Sequence, residues 1–111
     1  MIALSTTSPA LLATLFHGLA DPARLSCLLA VREKERTVSD VVIATGLSQP
    51  NVSKHLACLR DCSLVQARRS GKFVYYTLSD AGVEKVLQEA ETLLLKVGPA
   101  IEACPNYGER E

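Results

Sequence analysis

At 111 residues, with 48% hydrophobic and 22% charged side chains, the chain suits one modest globular core and is too mixed in composition for a disordered or fibrous protein. Twelve basic residues balance twelve acidic ones, which excludes a generally basic nucleic-acid coat. It does not exclude a local one, because residues 48–78 carry Lys54, Arg60, Arg68, Arg69 and Lys72 against the single acid Asp61, and a basic segment on a neutral chain still attracts a polyanion where the surfaces meet.

The opening MIALSTTS lacks a basic region, and the apolar run over 9–20 contains His17 and is too short to span a bilayer, so a cytoplasmic protein with no membrane partner is expected. Thiols stay reduced in that compartment. Cys27, Cys58, Cys62 and Cys104 therefore read as buried residues, metal ligands or redox sensors before they read as a disulfide framework.

In chain order, Ser8-Pro9 is a helix start with Ser at the N-cap and Pro at the first helical position, and Leu11, Leu12, Leu15, Phe16 and Leu19 fall on one stripe of a helix over 9–20. Asp21-Pro22 repeats the signal and opens a second helix, with Leu25, Leu28 and Leu29 apolar. That helix is expected to fade in the charged run Arg32-Glu33-Lys34-Glu35-Arg36, a solvated helix end. Thr37-Val38-Ser39-Asp40 resembles a capping box, and the short helix after it stops at Gly46. A fourth helix takes Gln49 to about Asp61 behind the N-cap Ser48, with Val52, His55, Leu56 and Leu59 on one face.

The stretch LVQARRSGKFVYYTL predicts two strands, 64–69 and 73–78, around the turn Ser70-Gly71-Lys72, because Val, Phe and Tyr suit strands and Ser-Gly suits a hairpin. Ser79-Asp80 caps a last long helix that keeps its apolar spacing from Val83 to Val97, where Gly98-Pro99 is expected to break it. The domain organisation read from this is 1–98 for the folded domain and 99–111 for a tail. The fold class is mainly α with a β-hairpin: a helix-turn-helix followed by a basic hairpin, which is a winged helix.

A helix that enters the major groove does so with its first turns, so side chains able to bond bases and phosphates belong there. Ser48, Gln49, Asn51, Ser53 and Lys54 meet that description, and Arg68, Arg69 and Lys72 near the hairpin tip are placed to reach phosphate or minor groove. His55 lies on the apolar face and reads first as a packing residue, with a base contact as the alternative that keeps it in the candidate DNA-binding set. Nothing suggests an enzyme: the sequence has no Cys-x-x-Cys, no Gly-rich phosphate loop and no Ser/His/acid set.

Positions i and i+4 of a helix lie about 6 Å apart along the axis and about 40° around it, so Cys58 and Cys62 point from one side. Two thiolates so placed chelate one soft metal ion; two small core-facing residues are the plain alternative. Cys104 is available as a third sulfur. A three-sulfur site suits large soft ions such as Cd(II), Pb(II), As(III) or Bi(III). Cys27, among Leu25, Leu28 and Leu29, is expected in the core.

The segments LFHGLADPARLSCLLAV and GLSQPNVSKHLACLRDCSLVQARRSGKFVYYTL, with the final amphipathic helix, resemble the ArsR/SmtB family of bacterial winged-helix metal-sensing repressors over nearly the whole chain. The resemblance implies a homodimer joined through its first and last helices, bound to double-stranded operator DNA until an inducer weakens the complex. TVSDVVIATG lacks the Cys-x-Cys of one branch of the family, and 80–97 lacks the His of another. The Cys-x-x-x-Cys of the fourth helix matches the cadmium- and lead-sensing branch often called CmtR-like, which implies Cys58, Cys62 and Cys104 as ligands and Cd(II) or Pb(II) as inducer. An As(III) or Bi(III) sensor, or a thiol redox or persulfide switch, remains open beside it. One departure stands out: relatives have Ala-Gly where this chain has Cys62-Ser63, so the helix is expected to end less sharply.

Overall fold

The computed structural model describes residues 8–105; the expectations that fall on 1–7 and on the last six residues of the tail lie outside the described residues. Its elements are α1 (Pro9–Ala20), α2 (Pro22–Ala30), α3 (Val38–Thr45), α4 (Gln49–Asp61), β1 (Val65–Ser70), β2 (Phe73–Leu78) and α5 (Ala81–Ala103). After Ser79 the chain divides into two compact units, the first holding α1 to β2 and the second α5. Among the described residues no helix is long and apolar enough to cross a membrane.

Each helix of the first unit starts where its cap residue dictates. Ser8 accepts from the N–H of Leu11 at 3.2 Å. Asp21 accepts from Ala23 and Arg24 at 2.9 and 3.2 Å. Thr37 and Asp40 form a reciprocal capping box, and Ser48 accepts from Asn51 at 3.3 Å. Each bond satisfies an N–H that the helix cannot pair internally. Gly46 ends α3 with φ +76°, a conformation that a Cβ disfavours, and the chain turns directly into α4.

The core of this unit is small and aliphatic. Cys27, Leu28, Val31, Val41, Val52 and Leu56 are wholly buried, with Leu59 and Val65 nearly so, drawing on α2, α3, α4 and β1. Cys27 thus lies where its leucine neighbours place it, and its thiol is pushed above its ordinary value by burial and, secondarily, by Asp21.

Two features depart from the sequence reading. The charged run after α2 is not a helix end: α2 stops at Ala30, and Arg36 instead makes an isolated antiparallel bridge to Tyr76, donating to its carbonyl at 3.0 Å and accepting from its N–H at 2.8 Å. The buried Val31 turns the chain inward there, which a solvated helix end would not do. In addition, α5 runs through Gly98-Pro99 to Ala103 without the expected break, because Pro removes one N–H and strains one turn, while the apolar spacing on either side favours continuing. The boundary read at residue 98 therefore falls inside a helix.

The hairpin follows expectation with a one-residue shift: Val65 pairs Leu78, Arg68 pairs Tyr75 and Ser70 pairs Phe73, leaving Gly71-Lys72 as a two-residue turn with φ +62° at Gly71.

Candidate nucleic-acid interface and thiol pair

Helix α4 presents two different chemical surfaces: exposed polar side chains on its first turns and a pair of thiols at its last. Its buried stripe, Val52, His55, Leu56 and Leu59, fixes the rotation of the helix in the first unit. That rotation leaves Gln49, Asn51, Ser53 and Lys54 exposed around the first turns. Ser48 is engaged as the N-cap, so its hydroxyl already accepts one backbone bond. A row of amide, hydroxyl and ammonium groups at a helix N-terminus, on a stripe held outward by the core, has the donors and acceptors that base edges and phosphates require.

His55 does not belong to this face. It is 7% exposed and is packed with the core, with Nδ1 buried and without a hydrogen-bond partner among the described residues. The stripe of Val52, Leu56 and Leu59 that orients α4 turns His55 inward with it, which is the packing position that the sequence reading put first.

The wing contributes unequally. Arg69 and Lys72 are exposed beside the turn, with the Lys72 ammonium 5.7 Å from the Phe73 ring centroid. Arg68 is engaged within the chain: its Nε and Nη2 each donate to one carboxylate oxygen of Glu35 at 2.7 Å, and its guanidinium lies 5.2 Å from the ring centroid of Tyr75. The pair holds the Glu35 carboxyl below and the Arg68 guanidinium above their ordinary values. Sequence reasoning missed Glu35 because a single-residue bridge at Arg36 leaves no alternating pattern to mark a strand there.

At the other end of α4, Cys58 is half-buried and Cys62 is exposed. The backbone holds them on successive turns, the N–H of Cys62 donating to the carbonyl of Cys58 at 3.0 Å. Partial burial pushes the Cys62 thiol up first, followed by Cys58 and the nearby Asp61, with Arg24 opposing them. Two soft donors on one side of a helix make half of a thiolate site. Cys104 is the C-cap of α5 and belongs to the second unit; among the described residues no three His, Cys, Asp or Glu side chains stand grouped around one point.

The helix end that presents Cys62 is sharper than Cys62-Ser63 suggests. Ser63 takes the left-handed conformation at φ +64°, its N–H donates to Arg60 at 2.9 Å, and the N–H of Leu64 donates to Leu59 at 2.9 Å. Both bonds of a Schellman motif are present although no glycine occupies the position. The Ser79 hydroxyl donates to the Ser63 carbonyl at 2.7 Å and steadies it.

Comparison with known proteins gives a consistent result. Residues 21–67 match the model of bacterial regulatory proteins of the arsR family. The chain is 40% identical over 107 residues to a probable mercury resistance operon repressor of Streptomyces lividans, covering 94% of this chain and 86% of that one. It is 38% identical over 86 residues to the regulator CmtR of Mycobacterium bovis, covering 78% and 73% respectively. Among solved structures, a homodimeric winged helix-turn-helix DNA-binding domain of Mycobacterium bovis superposes with a TM-score of 0.69 at 27% identity, covering both chains fully.

Proposed function

Because this chain belongs to the arsR family of bacterial regulatory proteins, we propose that it is a metal-responsive transcriptional repressor: a homodimer that holds operator DNA and releases it when a soft metal ion binds its thiolates. The observation that carries this reading is the division of α4, with exposed polar side chains on its first turns and two thiols on successive turns at its end. Gln49, Asn51, Ser53 and Lys54 meet base edges and phosphates in the major groove, Ser48 sets the helix start, and Arg69 and Lys72 neutralise phosphate beside it. The exposed apolar side chains of α1 and of α5, among them Leu11, Phe16, Leu93 and Leu95, are suited to the dimer contact.

Cys58 and Cys62 supply two sulfur ligands, and Cys104 supplies the third. Each thiol that becomes a ligand gives up its proton, so the metal displaces protons as it binds. The ion ties the C-terminal turn of α4 to a distant segment and favours a dimer shape in which the first turns of α4 no longer fit successive grooves. Metal and DNA then oppose each other through one coupling free energy, typically about 1–3 kcal/mol, and each weakens the other by the same factor.

Among the large soft ions that a three-sulfur site suits, Cd(II) or Pb(II) is the inducer that the similarity to CmtR favours. Hg(II) is the second reading, favoured by the similarity to a mercury operon repressor over 94% of this chain. Titrating the reduced protein, bound to a duplex it selects from a random-sequence pool, with Cd(II), Pb(II), Hg(II), As(III) and Zn(II) tests both. The expected result is DNA release by Cd(II) or Pb(II) at lower concentration than by the others. Release by Hg(II) alone, with a Cys104→Ser variant unaffected, selects the second reading, and release by none sinks the proposal.

A further inference from the structure

We propose that Glu35 and Arg68 form a brace between the wing and the segment that leads into the helix-turn-helix, which makes Arg68 a positioning residue for DNA binding and not a phosphate contact. The inference rests on the DNA-binding reading above.

The guanidinium of Arg68 is used along one edge and one face. Its edge makes two parallel 2.7 Å hydrogen bonds to Glu35, and its face lies over Tyr75, the residue directly opposite it in the hairpin. A backbone tie lies beside this one, since Arg36, next after Glu35, exchanges both of its backbone hydrogen bonds with Tyr76, next after Tyr75 in β2. Immediately beyond Arg36, Thr37 opens the capping box of α3, and α3 leads through Gly46 into α4. Four hydrogen bonds thus stitch residues 35 and 36 to the wing one or two residues before the helix-turn-helix begins. The base of the hairpin is anchored by Val65 in the core and by the bond from Ser79 to Ser63; nearer its tip the backbone bridge is one lateral tie to this segment, and the Arg68 pair adds a second that limits rocking about it.

A phosphate approaching Arg68 offers nothing that Glu35 does not already supply. It is an anion with the same bidentate geometry, and to gain it the protein must leave the Glu35 carboxylate unpaired and facing the DNA. Arg69 and Lys72, exposed at the turn, have no carboxylate bonded to them in this way among the described residues and remain the phosphate contacts.

The brace and simple charge counting give opposite signs. Glu35 is an anion beside a DNA-binding wing, so by charge alone its removal tightens binding. By the brace its removal loosens binding, because the wing no longer holds its angle.

The test uses the full chain and a duplex selected by the wild-type protein from a random-sequence pool, with affinity followed as a function of salt. Arg69→Gln and Lys72→Gln should each flatten the salt dependence by about 1.8 in a homodimer, at about 0.9 per lost phosphate contact. Arg68→Gln should weaken binding about fivefold while leaving that slope unchanged, and Glu35→Gln should weaken it as well. The exchange Glu35→Arg with Arg68→Glu should restore most of the loss. Amide hydrogen exchange, which needs no DNA, gives an independent reading: Arg36 and Tyr76 should exchange faster in either single variant while Val52 and Leu56 in α4 keep their protection. A flattened slope in Arg68→Gln, tighter binding in Glu35→Gln, or unchanged exchange at Arg36 and Tyr76 would overturn the brace. Failure of the wild-type protein to bind any duplex would instead overturn the DNA-binding reading beneath it.

Discussion

Cys62 shows how much of this protein is decided by single residues. Its thiol is held above the ordinary value by partial burial and by Cys58, so it is protonated at neutral pH and must lose that proton to a metal. The affinity for Cd(II) should therefore rise between pH 6 and 8 by about tenfold per pH unit on account of this one thiol. Cys62→Ser should remove one thiol's share of that slope, which isothermal titration at three pH values will read; an unchanged slope would show that Cys62 is not a ligand. Ser63 offers a second test. A non-glycine residue in the left-handed region is strained, whereas glycine is not. Ser63→Gly should raise stability by about 0.5–1 kcal/mol in urea unfolding, less whatever is lost if the bond from Ser79 adjusts. The sequence showed that this position lacked the usual glycine but not that the backbone would adopt the glycine conformation regardless. Two terminal hydrogen bonds, to Leu59 and Arg60, outweigh the strain, and neither can be read from residue types.

The elements of the first unit were legible because each carries its own start signal. Ser8-Pro9, Asp21-Pro22, the capping box at Thr37 and Ser48 before Gln49 all cap the helices they announce. What could not be read was where one element depends on another. The bridge from Arg36 to Tyr76 joins residues forty positions apart and has no local signature. Pro99 was legible as a breaker but not as a tolerated one, since one missing bond is a local cost while continuation of α5 is set by the whole helix. Pro99→Ala should therefore lengthen the protection of α5 against amide exchange around 95–103 and leave α4 untouched. A loss of protection there would mean that Pro99 supports the helix end in some other way. Within α4, Leu56 is wholly buried on the stripe that sets the helix's rotation, and Leu56→Ala should cost about 2–5 kcal/mol in unfolding free energy. His55 shares that stripe, which the 3.6-residue period did indicate; the polar side chain competed with the period as a signal, and the period prevailed.

For the whole molecule, pH acts at both ends of the range through different groups. The Asp21 and Asp40 carboxyls are held below their ordinary value of 3.8, chiefly by the backbone hydrogen bonds they accept at the starts of α2 and α3. Their contribution is present above the ordinary carboxylate value and is lost as pH falls through the lowered one, so helix α2 and α3 caps should fail on the acid side first. The Cys27 thiol is raised above 9.0 by burial. The unfolded chain therefore releases that proton before the folded one does, and stability should fall as pH rises above about 9. Cys27→Ala should flatten this alkaline decline in urea midpoints measured from pH 8 to 10; a decline of the same steepness in the variant would point to another group.

The central claim is that one helix both reads DNA and senses the ligand that ends the reading. Its most direct test is a single titration in which Cd(II) is added to the reduced protein on its selected duplex while thiolate-to-metal absorption and DNA anisotropy are recorded together. Release should track the absorption band, and Cys58→Ser and Cys62→Ser should lose both signals while binding DNA normally. Metal bound at the thiolates with DNA affinity unchanged, or release that persists in both variants, would contradict it.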